Sequence, residues 1–356
     1  MTADSPDVAS IEAAALLLSK LGVTPEDLLG AGSSSRTPRP TFATYIPQLL
    51  AAMPAGGTRK AYKSCWTRIL EVPGWPDRPI DDPTTTDLEQ LIGTLRTLRP
   101  IRSNDRGGRV AAQNTIAALR YLYRKAENDG HIPDGRSPAR KLIRPRSQPS
   151  SRRAISSSVL EEINQVAGST GNDPELDTLL LRLHTETACR ICGALALRRL
   201  DLDPGQCLIR LREKGGSERW QPVSPTLMGA LLRHHEIRGG RPDERLLRNR
   251  NGKPMTRKRY EILWNRMREY VPQAAVHRFS THWLRHTTLT WVERHYGQAV
   301  AREFAGHALS SGSVTDVYTR ATIVEVAQAL VGLTAEPHPL VRHIERDIVG
   351  DRSDSP

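Results

Sequence analysis

Residues 282–287 read His282-Trp-Leu-Arg285-His286-Thr287, followed downstream by Gly306-His307 and then by Tyr318 in Val317-Tyr318-Thr319. Upstream stand Thr187-Ala-Cys-Arg190 and, further along, Lys214 ahead of a Gly215-Gly216 turn. If residues 282–287 are helical, His282 and Arg285 lie three apart and share a face. An arginine fork is always charged and matches two phosphate oxygens at once, whereas a histidine exchanges protons near neutral pH. A phenol, with a pKa of about 10, attacks phosphorus once its proton is removed or the phosphate is strongly activated. Gathered in one place, these groups suit cleavage and rejoining of a phosphodiester. They make DNA strand exchange the leading expectation.

The charge distribution fits such a substrate. The chain has 356 residues and a formal net charge of +12, which favours a polyanionic partner. Between Leu95 and Arg153 fifteen Arg and Lys face four acids, a local excess of +11. Within that stretch Arg109, Arg120, Arg124, Lys125, Arg140, Lys141, Arg144 and Arg146 are the candidate DNA contacts. A basic surface that serves only solubility is the plainer alternative. The first thirty-five residues are acidic, with Lys20 as the only basic residue before Arg36. No run resembles a signal peptide or a membrane span, so a cytoplasmic protein is expected. The four cysteines make no disulfide framework. Cys189 and Cys192 lack the second pair of a zinc ribbon and read as packing residues, so no metal is expected.

Several segments can be placed by pattern. Ile11, Ala15 and Leu18 share a helical face that Gly22 can end, and Thr24-Pro25-Glu26-Asp27 can begin a second helix. Residues 32–40 read as a linker. From Thr41 to about Ile143 helix follows helix. Thr84-Thr-Thr-Asp87 precedes Leu88, Leu91, Ile92 and Leu95, and an amphipathic helix spans Asn114 to Ala126. The proline- and serine-rich basic stretch 137–153 reads as the interdomain linker. Beyond it, helices over Ser156–Glu162 and Leu176–Cys189 lead to a hairpin of Cys207–Arg212 and Glu218–Val223 around the glycine turn, and residues after Pro225 are mostly helical.

Taken together, these boxes resemble the tyrosine recombinase (phage-type integrase) family. Thr187-Ala-Cys-Arg190 resembles its first arginine box, and Lys214-Gly-Gly-Ser-Glu218-Arg219 its lysine turn. His282-Trp-Leu-Arg285-His286 resembles its His-x-x-Arg box, Gly306-His307 its second histidine, and Tyr318 its nucleophile. Each piece is weak alone; their joint order and spacing are specific. The resemblance runs from about Thr41 to Leu333.

The resemblance implies an α+β fold that is predominantly α: a helical SAM-like core-binding domain and an integrase-like catalytic domain with a small β-hairpin or sheet. The expected division is an extension and linker at 1–36, a core-binding domain at 37–147, a catalytic domain at 148–335 and a tail at 336–356. The implied catalytic set is Arg190, Lys214, His282, Arg285, His307 and Tyr318. Lys214 would protonate the leaving 5′ oxygen, and Tyr318 would form a 3′-phosphotyrosyl link, with no ATP, metal or other cofactor. Tyr296 is a rival nucleophile, and His286 reads as support for the fold. The stripe Ile323, Val326, Ala327, Leu330 suggests core packing by pattern; by resemblance it is a helix docking on a neighbouring protomer in a tetramer on duplex DNA.

Two departures stand out. The family carries an acid three places after its first arginine, where this chain has Gly193, which would weaken the orientation of Arg190. The interval from His307 to Tyr318 is two residues longer than the commonest form. The expected function is that of a mobile-element integrase, with chromosome-dimer resolution less favoured. Relaxation of DNA in the manner of a type IB topoisomerase, or DNA binding without catalysis, are the alternatives.

Overall fold

The structure is a computed structural model that describes residues 8–24, 39–98, 108–146, 153–213, 216–306 and 321–341. The chain divides into two compact units, Met1–Pro149 and Ser150–Pro356.

The first unit is helical. Helix α1 (Val8–Leu21) ends at Gly22, whose φ of +68° suits a residue without a side chain. Its apolar residues Ile11, Leu16, Leu17 and Leu21 are exposed. The second early helix expected from Pro25, and the linker over 32–38, lie outside the described residues. Four helices make the body: α2 (Phe42–Ala52), α3 (Gly57–Leu70), α4 (Thr85–Thr97) and α5 (Arg109–Asn128). Thr84 and Asp87 close a reciprocal capping box at the start of α4, satisfying two backbone N–H groups that the helix leaves open. Phe42, Ile46, Trp66, Ile69, Leu88, Leu119, Leu122 and Tyr123 form the core. Trp66 donates its indole N–H to Ala118 O at 3.3 Å, tying α3 to α5.

The linker expected over 137–153 is shorter than its composition suggests. Residues Pro138–Lys141 make a 3₁₀ turn, and Ala139 and Leu142 are buried in the first unit's core. Arg120 donates to Leu142 O at 2.7 Å and Gln113 to Pro145 O at 2.7 Å. Two apolar anchors thus hold a stretch that polar composition marks as free. The rest of that stretch, 147–152, lies outside the described residues.

The second unit carries α6 (Ser157–Ser169), α7 (Pro174–Thr187), the short α8 (Ile191–Ala196), α9 (Pro225–Arg238), α10 (Arg257–Tyr270), α11 (Pro272–His277), α12 (Thr281–Ala305) and α13 (Ile323–Thr334). Helix α12 is bent at Gly297, where φ is +83°. The expected hairpin is present as β2 (Leu208–Arg212) and β3 (Glu218–Pro222), with Ile209 opposite Gln221. A two-residue strand, β1 (Leu202–Asp203), adds to β2 and makes an antiparallel sheet in the order β1-β2-β3. Leu180, Ile209, Leu211, Val223, Leu263 and Leu284 centre the main core. Val326 and Leu330 of α13 join Val292, Val300 and Phe304 of α12 in a second cluster. The apolar stripe after Tyr318 is therefore core packing within this chain, and only Ile323 of its members is exposed, at 37%.

Candidate active site

Helix α7 ends with Ala188 in the left-handed conformation (φ 49°), its N–H bonding back to His184 O at 3.0 Å. That reversal carries Cys189 and Arg190 back across the helix end. Arg190 then sits at the cap position of α8 and is half-buried. An inward-facing arginine needs an anion, and here the anion is Glu213, the last residue before the Lys214 turn. The Glu213 side chain is 0% exposed. One carboxylate oxygen accepts the Arg190 backbone N–H at 2.6 Å, and the other accepts from the Arg190 guanidinium.

Arg285 faces the same corner from α12 and is only 4% exposed. Its guanidinium donates to Ala188 O and, at 2.7 Å, to Ala305 O. Two backbone carbonyls, one at the end of α7 and one at the end of α12, thus fix the plane of the guanidinium. Burial, reinforced by the positive charges of Arg190 and Arg219 and opposed by Glu213, pulls its pKa down to about 10. It therefore stays protonated at neutral pH.

Arg219 on β3 is a third guanidinium, which sequence reasoning noted only as part of the lysine turn. Its side chain is 8% exposed, with Nε 3.9 Å from a Glu213 oxygen and a long hydrogen bond of 3.3 Å to Thr187 O. Its Nε makes no hydrogen bond, and burial lowers its pKa. The period-2 alternation of β3, with Gln221 buried two residues on, is the signal that places Arg219 on the inner face. Three guanidinium groups around one buried carboxylate leave a surplus of positive charge where water is scarce. Such a corner is built for an anion.

Beside it opens a cleft of about 360 Å³ lined by His282, Arg285, His286, Ala301, Arg302 and Ala305 among others. His282 is exposed at its edge; His286 is half-buried, its Nδ1 3.3 Å from Thr290 Oγ1. The structure therefore brings Arg190 and Arg285 together and sets His282 on the adjoining cleft. Lys214, His307 and Tyr318 lie outside the described residues. Their described neighbours are at the site: Glu213 precedes Lys214, and Gly306 precedes His307. A Cβ at Gly306 would fall 2.3 Å from Arg219 Nε, so a glycine is what lets that guanidinium pass.

Two other candidates are accounted for by packing. Cys189 lies 3.4 Å from His184 Nδ1, but burial raises the thiol to about 11 and lowers the imidazole to about 4, so both stay neutral. Tyr296 packs beside Trp291 and against Gly332 of α13. Among the described residues no cluster of His, Cys, Asp or Glu could hold a metal ion.

In the first unit, Arg120, Arg124 and Arg140 line a cleft of about 420 Å³ with Tyr62 and Tyr121. The Arg124 guanidinium lies 5.4 Å from the Tyr121 ring centre, a cation–π contact. Arg109, Lys141, Arg144 and Arg146 are exposed and Lys125 is half-buried; none of these five lines that cleft.

Comparison with known proteins supplies the context for this corner. The model of the phage integrase family matches residues 153–323. The tyrosine recombinase XerD of Mycobacterium tuberculosis is 28% identical over 270 residues, covering 72% of this chain and 83% of that protein. In fold, the chain is similar to the lambda integrase tetramer bound to a Holliday junction, with a TM-score of 0.58, 18% identity and 76% and 77% of the two chains covered. It is also similar to the Tn1549 transposon integrase in complex with a circular intermediate DNA, with a TM-score of 0.58, 17% identity and 78% and 93% covered. No described helix is long and apolar enough to cross a membrane.

Proposed function

The chain belongs to the tyrosine recombinase, or phage integrase, family, and on that premise we propose that it is the integrase of a mobile element, cutting and rejoining duplex DNA through a 3′-phosphotyrosyl link at Tyr318. It is a tyrosine-type site-specific recombinase. The observation that carries the catalytic assignment is the corner of Arg190, Arg219 and Arg285 around Glu213. Its positive surplus suits a scissile phosphate, whose equatorial oxygens gain charge as phosphorus becomes five-coordinate.

In this mechanism Arg190 and Arg285 hold the non-bridging oxygens. His282 and His307 donate to the phosphate or take up the phenolic proton. Tyr318 Oη attacks phosphorus as the bond to the 5′ oxygen breaks, and that oxygen takes a proton from Lys214. The new phosphotyrosyl ester keeps the bond energy, so attack by a 5′ hydroxyl of the partner strand reverses the step without ATP. Residues 37–147 would grip the duplex backbone through Arg120, Arg124 and Arg140, with Arg109, Lys125, Lys141, Arg144 and Arg146 as further contacts. Residues 148–335 would perform the chemistry, four protomers acting on two sites. The likeness to integrases solved on a Holliday junction and on a circular intermediate supports the assembly and the mobile-element role. Helix α1 and the acidic residues around it precede the motif boxes and favour this reading over a compact chromosomal resolvase.

Chromosome-dimer resolution is the second reading, favoured by the similarity to XerD. A supercoiled plasmid carrying two copies of the DNA that flanks the gene separates the possibilities. Recombination between the copies supports the integrase. Recombination only at a chromosomal terminus site indicates a resolvase, and relaxation alone indicates a topoisomerase-like enzyme.

A further inference from the structure

Glu213 occupies a place that the chain's own departures make necessary. Gly193, three residues after Arg190, has no side chain, and the space it leaves is filled. A Cβ built at Gly193 would lie 3.1 Å from Glu213 Cγ, 3.3 Å from Glu213 Oε1 and 3.6 Å from Arg212 O. The first two contacts are tighter than most side-chain carbons experience, so any side chain at 193 would push the Glu213 side chain from its present seat by a few tenths of an ångström. Gly193 is not held there by an unusual backbone, because its φ is not positive. What it provides is room for a carboxylate arriving from the neighbouring hairpin.

That carboxylate touches Arg190 twice, through the backbone N–H and through the guanidinium. The backbone of Glu213 is in turn fixed by its N–H bond to Ser217 O at 2.8 Å. One residue therefore links the first arginine to the β2–β3 hairpin. We propose that Glu213 is the positioning residue for Arg190, supplying from the β2–β3 hairpin the carboxylate that position 193 lacks. This inference rests on the recombinase assignment for its effect on catalysis, but not for the pairing itself. On this reading Glu213 supplies, from across the site, the orienting charge that a residue at 193 does not.

The test moves the carboxylate back. Four full-length proteins are compared: the wild type, Glu213→Gly, Gly193→Asp, and the double variant Gly193→Asp/Glu213→Gly. Two readouts are taken: thermal unfolding without DNA, and single-turnover formation of the covalent adduct on a nicked duplex carrying the DNA that flanks the gene. Each single variant should melt lower than the wild type. In Glu213→Gly the Arg190 guanidinium loses its carboxylate; in Gly193→Asp two carboxylates crowd one arginine. The double variant should melt several degrees above the value expected from adding the two losses. It should form adduct at least tenfold faster than Glu213→Gly, whose rate should fall about a hundredfold, the scale for losing an oriented transition-state donor. Glu213→Gln, nearly the same shape without the charge, should lose about tenfold in rate with little change in DNA affinity. Additive melting temperatures, with no recovery of rate in the double variant, would overturn the inference. A wild type that forms no adduct, alongside clear thermal coupling, would leave the Glu213–Arg190 pairing standing and overturn the recombinase mechanism instead.

Discussion

Replacing Arg285 by lysine keeps a positive charge in place and removes only the planar fork. In the structure that fork spans Ala188 O and Ala305 O, the last carbonyls of two different helices, with 4% of the residue exposed. An ammonium is one point and cannot serve both carbonyls along their lone pairs while also facing a phosphate. At least one charged hydrogen bond is lost, worth about 2 kcal/mol. For a unit of this size that lowers the melting temperature by roughly 4–8 °C. The larger effect falls on catalysis, because a lysine cannot donate two parallel bonds to the phosphate. Losing one oriented donor at the transition state costs on the order of 100-fold or more in rate. A lysine placed where burial and Arg190 already depress the arginine also titrates at lower pH, so its residual rate should fall as pH is raised above neutrality. The assay is single-turnover adduct formation on a nicked duplex, with thermal unfolding measured on the same samples. A lysine variant that keeps more than a third of the wild-type rate would refute the assignment of Arg285 as a phosphate clamp.

Other outcomes follow from particular contacts. Replacing Arg120, Arg124 or Arg140 by alanine should each reduce the slope of log affinity against log salt by about 0.9, the share of one phosphate on B-form DNA; unchanged slopes would remove that cleft from the interface. Burial pushes His184 down to about 4, with His234 shifted the same way. The unfolded chain therefore binds these protons first. Stability is full above pH 6.5 and lost as pH falls toward 4, by up to about 1.4 kcal/mol per pH unit for each histidine. Urea unfolding at pH 7 and pH 5 should show a flatter dependence in His184→Gln, and an unchanged one contradicts the shift. Gly306→Ala places a methyl against Arg219 at a φ of +59°, so it should cost about 1–2 kcal/mol of stability and slow adduct formation. An alanine variant indistinguishable from wild type would dissociate Arg219 from the segment before His307.

Much of this arrangement is legible in the sequence because it depends on local chemistry. The Thr84-to-Asp87 box, the spacing of Leu88, Leu91 and Leu95, and the glycine turn between two short strands each carry their own physical signal, and the structure follows them. What the sequence hides is set by contacts between distant residues. The stretch after Ser137 reads as linker by composition, yet Ala139 and Leu142 bury themselves. A two-residue strand at Leu202 has too little pattern to stand out and exists because β2 offers it an edge. Arg190 and Arg285 are visible as motif residues, but the carboxylate that pairs with Arg190, Glu213, reads as an ordinary hairpin acid until the fold brings it 2.6 Å from the Arg190 N–H. Gly193 looks like a loss until Glu213 is seen to fill its space.

The central claim is that this chain joins itself to DNA through one phenol. The wild type should be trapped on a nicked duplex carrying the DNA that flanks its gene, digested, and its nucleotide-bearing peptide sequenced by mass spectrometry. The account predicts a 3′-phosphate ester on Tyr318 and no adduct from Tyr318→Phe. An ester on Tyr296, or an adduct that persists in Tyr318→Phe, would contradict it.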